Sequence, residues 1–193
     1  METSSLRGNP IPDFDHNLVI PPHRGNPARP EQLSPYDCNT LEMCQKFATT
    51  KQRVELLKSF LAFRKRIYDN GVRMGYQWID GSFLENVELR DRRPPNDIDV
   101  VTVFWGYSDD FLIQLKKSFP EFCLSKLAKE RFKVDHFPFD AGASPELTLE
   151  QTRYWILLFS HNRLGVWKGM LKIKLDTATD DAEAESYLSK LSL

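Results

Sequence analysis

A run of β-branched and aromatic residues from Ile98 to Trp105 constrains the fold more than any other feature of this sequence. Such a run is typical of a strand built for burial, so it needs a sheet and a hydrophobic core around it. The chain can supply both, because its 193 residues, 41% of them hydrophobic, suit one compact domain. The run follows directly on Asn96 and Asp97, which places polar side chains at the entrance of a buried strand.

Helix and strand signals alternate on both sides of this run. Before it, the spacing of apolar residues predicts a long amphipathic helix that begins at a capping box headed by Thr49 and ends at Asn70-Gly71. The predicted outer face of this helix carries four basic residues, Lys58, Arg64, Lys65 and Arg66. Further strands are predicted at 76–79, 132–137 and 168–175, and further helices after Ser108, at 148–160 and at 180–191. The interleaving predicts an α/β or α+β fold with one mixed sheet flanked by helices.

Proline is concentrated at the start of the chain, where seven of the 12 prolines lie within the first 35 residues. Proline disfavours helices and central strands, so this region should be extended or irregular. It also holds apolar residues that a disordered tail would contain less often, namely Ile11, Phe14, Leu18, Val19 and Ile20. We therefore predict that residues 1–48 form an extended Pro-rich arm with a short helix, and that this arm packs on a domain formed by residues 49–193.

The composition excludes several classes of protein. The 26 basic and 27 acidic residues give a net charge of −1, whereas a general binder of nucleic acid needs a basic excess. No apolar run approaches the ~20 residues that span a bilayer, and the polar start predicts no signal peptide. The three cysteines are too few and too scattered for a disulfide framework. We predict a cytoplasmic protein with reduced thiols and no membrane contact.

Two aspartates at the start of the buried run carry the strongest chemical signal. Asp97 and Asp99 point to the same face of a strand, with Cα atoms roughly 6.5 Å apart. Carboxylates this close repel each other, and a divalent cation, Mg²⁺ or Mn²⁺, would relieve the repulsion and could also carry substrate phosphates. The alternative is a pair of solvated aspartates at a strand entrance.

A Gly-Ser pair follows the strand signal that precedes the aspartates. Gly81 allows the main chain to approach a phosphate closely, and the hydroxyl of Ser82 adds a hydrogen-bond donor. The alternative is an ordinary turn. Together, Gly81-Ser82 and Asp97-Ile98-Asp99 resemble the signature of the polymerase-beta-like nucleotidyltransferase superfamily. This sequence departs from that signature in two places: Asp80 stands where an apolar residue is usual, and the 14 residues between Ser82 and Asp97 make a slightly long spacer.

The resemblance implies a nucleotidyltransferase-like fold with a third carboxylate on a later strand. Asp135 is the best match for that carboxylate, and Asp140, which follows Pro138, is the alternative. The resemblance further implies that Asp97, Asp99 and Asp135 are catalytic and hold metal ions. In this scheme Asp135 helps a second ion or takes the proton from the attacking hydroxyl. Metal ions that clamp the attacking and leaving oxygens suit in-line attack on an α-phosphate.

A narrower resemblance covers most of the chain. Several segments are similar to one uncharacterised bacterial nucleotidyltransferase-like family: Ile11 to Asp15 with Pro21-Pro22-His23, Gly81-Ser82-Phe83, Pro95 to Val100, and Arg163 to Leu171. This narrower family implies no particular substrate.

Three basic residues complete the predicted nucleotide site. Arg92 and Arg93 lie in the spacer, and the planar guanidinium of arginine suits triphosphate oxygens, so this loop could close over a nucleotide. A solvated charged loop is the alternative. Lys168 precedes a strand and could reach a phosphate, or it could be an edge lysine that opposes aggregation.

The sequence therefore predicts a metal-dependent nucleotidyltransferase that moves a nucleoside monophosphate from a nucleoside triphosphate to a protein, RNA or small-molecule acceptor. A place in a toxin–antitoxin or phage-defence system, with a partner protein, follows by association with bacterial members of the superfamily. The alternative is a non-catalytic module of the same fold that binds or regulates, in the manner of an antitoxin. A nuclease that uses the same carboxylates is a weaker alternative, because Gly-Ser suits a phosphate-cradling turn.

Overall fold

The computed structural model describes residues 10–192, which contain five strands in one sheet. The strands are β1 (Tyr36–Asp37), β2 (Gly75–Asp80), β3 (Ile98–Phe104), β4 (Val134–Asp140) and β5 (Leu171–Lys174). Their spatial order is β1-β5-β2-β3-β4. β2 pairs antiparallel with β3 and β5, whereas the pairs β1–β5 and β3–β4 are parallel. The predicted mixed sheet is confirmed.

Helices flank this sheet, also as predicted. They are α1 (Thr40–Phe47), α2 (Lys51–Asp69), α3 (Val87–Asp91), α4 (Asp109–Ser118), α5 (Ser125–Phe132), α6 (Pro145–Phe159) and α7 (Ala178–Ser189). Short 3-10 helices lie at Pro30–Gln32, Ser82–Leu84 and Pro120–Phe122. No helix within residues 10–192 is long and apolar enough to cross a membrane.

The predicted long helix is α2, and its end at Asn70-Gly71 is confirmed, with Gly71 at a φ of 83°. The predicted capping box at Thr49 is wrong. Thr50 is the N-cap, and its side chain accepts a hydrogen bond from the backbone N–H of Arg53. Arg53 occupies the position where a capping box needs a glutamate or glutamine, so the reciprocal bond cannot form.

The two faces of the sheet differ in what covers them. One face packs on the larger core, to which α2 contributes Leu57, Phe60 and Phe63 and the sheet contributes Ile79, Val100, Val134 and Ile173. On the other face, α6 packs Trp155 and Phe159 against a smaller cluster of sheet residues, Trp78, Val101, Val103 and Phe139. The strand ends beyond this smaller cluster, at Asp80 and Asp99, line a cavity instead.

Arg64 is buried, so its predicted position on the solvated outer face of α2 is wrong. Its guanidinium donates to Asp181 at 3.0 Å, to Gln77 Oε1 at 2.7 Å, and to both the Lys174 carbonyl and Thr177 Oγ1. These acceptors come from β2, from the end of β5 and from α7, which only the tertiary fold brings to α2. Arginine has five donors to satisfy, and this set of acceptors makes its burial possible.

The strand predicted at 132–137 is shifted along the chain. Phe132 ends an unpredicted helix, α5, and β4 continues through Pro138 to Asp140. β4 is an edge strand, so the missing N–H of the proline removes no ladder hydrogen bond on its free side. The strand predicted at 168–175 is also present, but it is shorter than predicted, because β5 begins at Leu171 and ends at Lys174.

The described part of the predicted N-terminal arm packs on the sheet and its helices. Ile11, Val19 and Ile20 are buried, and the Ile20 carbonyl accepts a hydrogen bond of 2.6 Å from the Gly169 N–H. Residues 1–9 of the predicted arm lie outside the described residues. The boundary between arm and domain stays a prediction.

Candidate functional site

Three aspartates lie side by side across the sheet. Asp80 of β2 is the register partner of Asp99 of β3, and Asp99 is the register partner of Asp135 of β4. Asp97 lies two residues before Asp99 and therefore on the same face. All four carboxylates line one cavity of about 680 Å³. The three carboxylates of the predicted cluster thus share a site, whereas Asp140 lies at the far end of β4, opposite Phe104.

Gly81 connects β2 to the 3-10 helix that begins at Ser82, and both residues line the cavity. Gly81 has a φ of 85°, and a Cβ atom built on it would lie 2.2 Å from Asp99 Oδ2. Only glycine therefore allows the turn to lie against this carboxylate. The two halves of the sequence motif are in direct contact.

Asp99 is a carboxylate whose surroundings disfavour its ionised form. Burial, followed by the charges of Asp97 and Asp135, raises the pKa of Asp99 to about 6. No hydrogen bond or ion pair engages the Asp99 carboxylate within the described part of the chain. An added cation would stabilise the ionised form of this group.

Lys129 of α5 is a site residue that sequence reasoning missed. Its Nζ lies 2.6 Å from Asp97 Oδ2 and 3.2 Å from Asp135 Oδ2. Ser125, one helical turn earlier, donates its hydroxyl hydrogen bond to the other oxygen of Asp135. A helical pattern over 125–132, with Ala128 and Phe132 inward, would have placed Ser125 and Lys129 on one face.

Lys168 has a different environment from the predicted phosphate contact. Its side chain is 2% exposed, and three oxygen atoms surround its ammonium: the Gly81 carbonyl at 2.8 Å, Asp80 Oδ1 at 2.9 Å and Glu85 Oε1 at 3.1 Å. Lys168 donates hydrogen bonds to the Gly81 carbonyl and to Glu85, and through the first of these it holds the Gly81 turn in place. The charges of Asp80 and Glu85 outweigh burial and raise the pKa of Lys168.

The same contact accounts for the departure from the superfamily signature at Asp80. Burial raises the pKa of Asp80, and the adjacent ammonium of Lys168 opposes that effect. The acidic residue before Gly81 is therefore one half of a buried ion pair. An apolar residue at this position would leave the ammonium of Lys168 without one of its two ion-pair partners.

Of the two spacer arginines predicted to bind a nucleotide, one lines the cavity and the other does not. Arg93 lines it, as does Arg90, which donates to Glu85 Oε2 at 2.6 Å and to Asp91 at 2.8 Å. Arg92 is exposed, has a φ of 53°, and does not line the cavity. The prediction that Arg92 contacts a nucleotide has no support from this placement.

An apolar wall that was not predicted faces the carboxylates. It consists of Trp155, Leu158 and Phe159 from α6 and of Leu164 from the loop that follows. The cavity therefore combines a charged floor with an apolar side, as is usual for sites that bind organic ligands.

Oxygen ligands of this kind suit Mg²⁺ or Mn²⁺, and Asp97 and Asp99 fit such a cation in their chemistry. Among the described residues, however, no group of three or more His, Cys, Asp or Glu side chains is arranged to hold a metal ion. Lys129 explains the difference, because its ammonium lies between Asp97 and Asp135. Lys129 contacts one oxygen of Asp97, and no ion pair engages the Asp99 carboxylate among the described residues, so these two aspartates are the residues that would hold a cation.

Comparisons with known proteins give one family. Residues 12–174 match a family described as a family of unknown function, DUF6932. This match includes every residue of the cavity. No curated protein and no solved structure matches the chain. Because the match extends over most of its length, the chain belongs to the DUF6932 family.

Proposed function

We propose that this protein is a nucleotidyltransferase that uses a divalent cation to move a nucleoside monophosphate from a nucleoside triphosphate to an acceptor. The contact between Gly81 and Asp99 carries the proposal, because it joins a turn suited to phosphate to a carboxylate suited to a cation. The open cavity of about 680 Å³ above them has room for a nucleotide.

The turn, one arginine, two aspartates and Lys168 have separate roles in this proposal. The main chain at Gly81-Ser82 and the Ser82 hydroxyl bind phosphate oxygens, and Arg93 binds the far end of the triphosphate. Asp97 and Asp99 hold the cation, which when bound supplies positive charge at the reacting phosphate. Lys168 positions the turn through the Gly81 carbonyl.

The transfer itself is a substitution at phosphorus. An acceptor oxygen or nitrogen forms a bond to the α-phosphorus, the bond from that phosphorus to the bridging oxygen breaks, and pyrophosphate leaves. The acceptor proton passes to a carboxylate of the cluster. The acceptor is a protein, an RNA or a small molecule, and we place the reaction in the cytoplasm, in keeping with the free thiols of Cys38, Cys44 and Cys123. A role in a toxin–antitoxin or phage-defence pair is part of the same proposal.

The test is incubation of the purified protein with each labelled nucleoside triphosphate, Mg²⁺ or Mn²⁺, and a bacterial lysate. We expect label on an acceptor and release of pyrophosphate, and we expect Asp97→Asn and Asp99→Asn to abolish both. Asp140→Asn is the matched control, since it changes an aspartate at the other end of β4. Transfer that persists in Asp99→Asn would contradict the proposal.

A non-catalytic binding module is the second candidate, and one observation favours it: Lys129 already forms ion pairs with Asp97 and Asp135. Such a module would bind a nucleotide or partner without transfer. Thermal unfolding separates the two functions, because a ligand that binds only the folded state raises the Tm. A rise in Tm with nucleotide alone, unchanged by Mg²⁺ and accompanied by no label transfer, would favour the module.

A further inference from the structure

We propose that this site takes a single divalent cation, held by Asp97 and Asp99, and that the ammonium of Lys129 replaces a second ion between Asp97 and Asp135. The inference rests on the proposed function in that it assumes a cation at the same carboxylates. In this inference Asp135 forms an ion pair with Lys129 and does not bind a metal ion.

The position of Lys129 is the first argument. Its Nζ contacts one oxygen of Asp97 at 2.6 Å and one oxygen of Asp135 at 3.2 Å, so it bridges carboxylates from β3 and β4. The side chain is half exposed, and a lysine in such a position is an ammonium at neutral pH. A compact, permanent positive charge therefore occupies the space where a second ion would bind.

The surroundings of Asp135 are the second argument. Both of its oxygens are engaged by α5: Ser125 donates to Oδ1 and Lys129 to Oδ2. Ser125 and Lys129 lie four residues apart on one helix face, so the helix itself sets the spacing of the two donors. A metal at Asp135 would have to displace at least one of them, whereas Asp99 has no such partner within the described residues.

The charge of the cavity floor is the third argument. Asp80 and Glu85 are balanced by Lys168 and Arg90 through direct ion pairs. The remaining carboxylates are Asp97, Asp99 and Asp135, and Lys129 is the cation that contacts two of them. Three negative charges and one positive charge leave a net charge of −2, which one divalent cation neutralises.

The test counts Mn²⁺ ions bound per chain, by electron paramagnetic resonance, on the full chain with Mn²⁺ as the only ligand. We expect one ion for the wild type. Asp97→Asn should weaken its binding by about a hundredfold, since it removes a ligand, and Asp135→Asn by less than about tenfold. Lys129→Met should expose a second site and raise the count to two.

Lys126→Met is the matched control, because Lys126 lies on the same helix with 87% of its side chain exposed. It should bind one ion, like the wild type. Thermal unfolding without metal confirms that each variant is folded, and Lys129→Gln serves as a second variant at the same position.

Three results would overturn the inference. The first is a wild type that binds two Mn²⁺ ions or none, and the second is an equal loss of Mn²⁺ affinity in Asp97→Asn and Asp135→Asn. The third is that both Lys129 variants bind the same number of Mn²⁺ ions as Lys126→Met. Label transfer, measured separately on the same samples, decides the proposed function. Transfer with two ions bound refutes only the present inference, and one bound ion without transfer refutes only the proposed function.

Discussion

Gly81 is the residue at which the geometry of the site is tightest. Its φ of 85° belongs to a region that side chains rarely adopt, and the space beside its Cα is filled by the Asp99 carboxylate. A second glycine, Gly165, has a similar φ of 74° but no atom within 4 Å of the position of an added Cβ. The two glycines therefore separate the effect of backbone strain from the effect of the close approach.

We predict that Gly81→Ala and Gly165→Ala each lose about 1–3 kcal/mol of unfolding free energy, because both positions have a positive φ that strains a residue with a side chain. Gly81→Ala should lose more, because its methyl group must displace Asp99, and it should also lose Mn²⁺ binding and label transfer. Denaturant unfolding and Mn²⁺ titration measure both effects. If the two variants lose the same unfolding free energy and keep the same Mn²⁺ binding and label transfer, the contact with Asp99 does not contribute to the site.

At the scale of elements, the segment from Gly81 to α3 is held from three sides. Arg53 of α2 donates to the Phe83 and Glu85 carbonyls at 2.7 and 2.6 Å. Lys168, which lies shortly before β5, donates to the Gly81 carbonyl. In the N-terminal arm, the Leu18 carbonyl accepts a hydrogen bond from the Asn86 N–H. Under the proposed function this support would keep the turn in the position that phosphate transfer requires, because misplacement of a reacting group lowers the rate.

The element-scale prediction concerns the support that Lys168 provides. Lys168→Met should cost about 3–5 kcal/mol of unfolding free energy, because it leaves the buried Asp80 carboxylate without its partner. Lys172→Met, four residues on, is the matched control. Its side chain is 32% exposed and pairs with the exposed Asp37, so we expect a loss below about 1 kcal/mol. Denaturant unfolding near pH 7 measures both, and similar losses would contradict a buried ion pair at Lys168.

At the scale of the whole molecule, the sheet separates two polar systems. The carboxylates lie on one face, and a buried chain of hydrogen bonds runs along the other, from Arg64 through Gln77 and Thr102 to His136. His136 is fully buried, with its ring against Phe63 and Phe122. Such a histidine is stable only in its neutral form.

We predict that acid destabilises the fold through His136. Burial lowers the pKa of His136 to about 3, while contacts with the Phe122 backbone and the Asp135 charge oppose this shift. In the unfolded chain the histidine takes up its proton near pH 6.5. Between pH 6.5 and about 3 the unfolded state therefore holds more protons than the folded state, and the free energy of unfolding decreases as the pH is lowered. The contribution is fully present above pH 6.5.

The measurement compares wild type with His136→Leu by denaturant unfolding at several pH values. The difference in unfolding free energy between them should change by about 1.4 kcal/mol per pH unit below pH 6. The carboxylates titrate in both proteins, so they largely cancel in the comparison. A difference that is constant between pH 7 and 5 would show that His136 ionises in the folded protein.

Local features of the sequence were sufficient for several elements. The apolar run at Ile98 became β3, and Ser108 caps α4. The period of a strand placed Asp97 and Asp99 on one face, and the alternation at Leu171 and Ile173 put the lysines of β5 on the other side. Each of these depends on interactions between residues a few positions apart, which a sequence shows directly.

The tertiary structure decided the partners of the charged groups. Lys168 meets Gly81 across 87 residues, and Arg64 meets Asp181 across 117, so neither burial could be inferred from local periodicity. The strand order β1-β5-β2-β3-β4 brings Asp80, Asp99 and Asp135 together, and it also lets α5 place Lys129 between two of them. The sequence by itself determined which residues carry charge and which face of a strand they occupy. Which opposite charge each one meets depended on the packing of distant elements, because a buried charge is stable only beside a partner that the whole fold supplies.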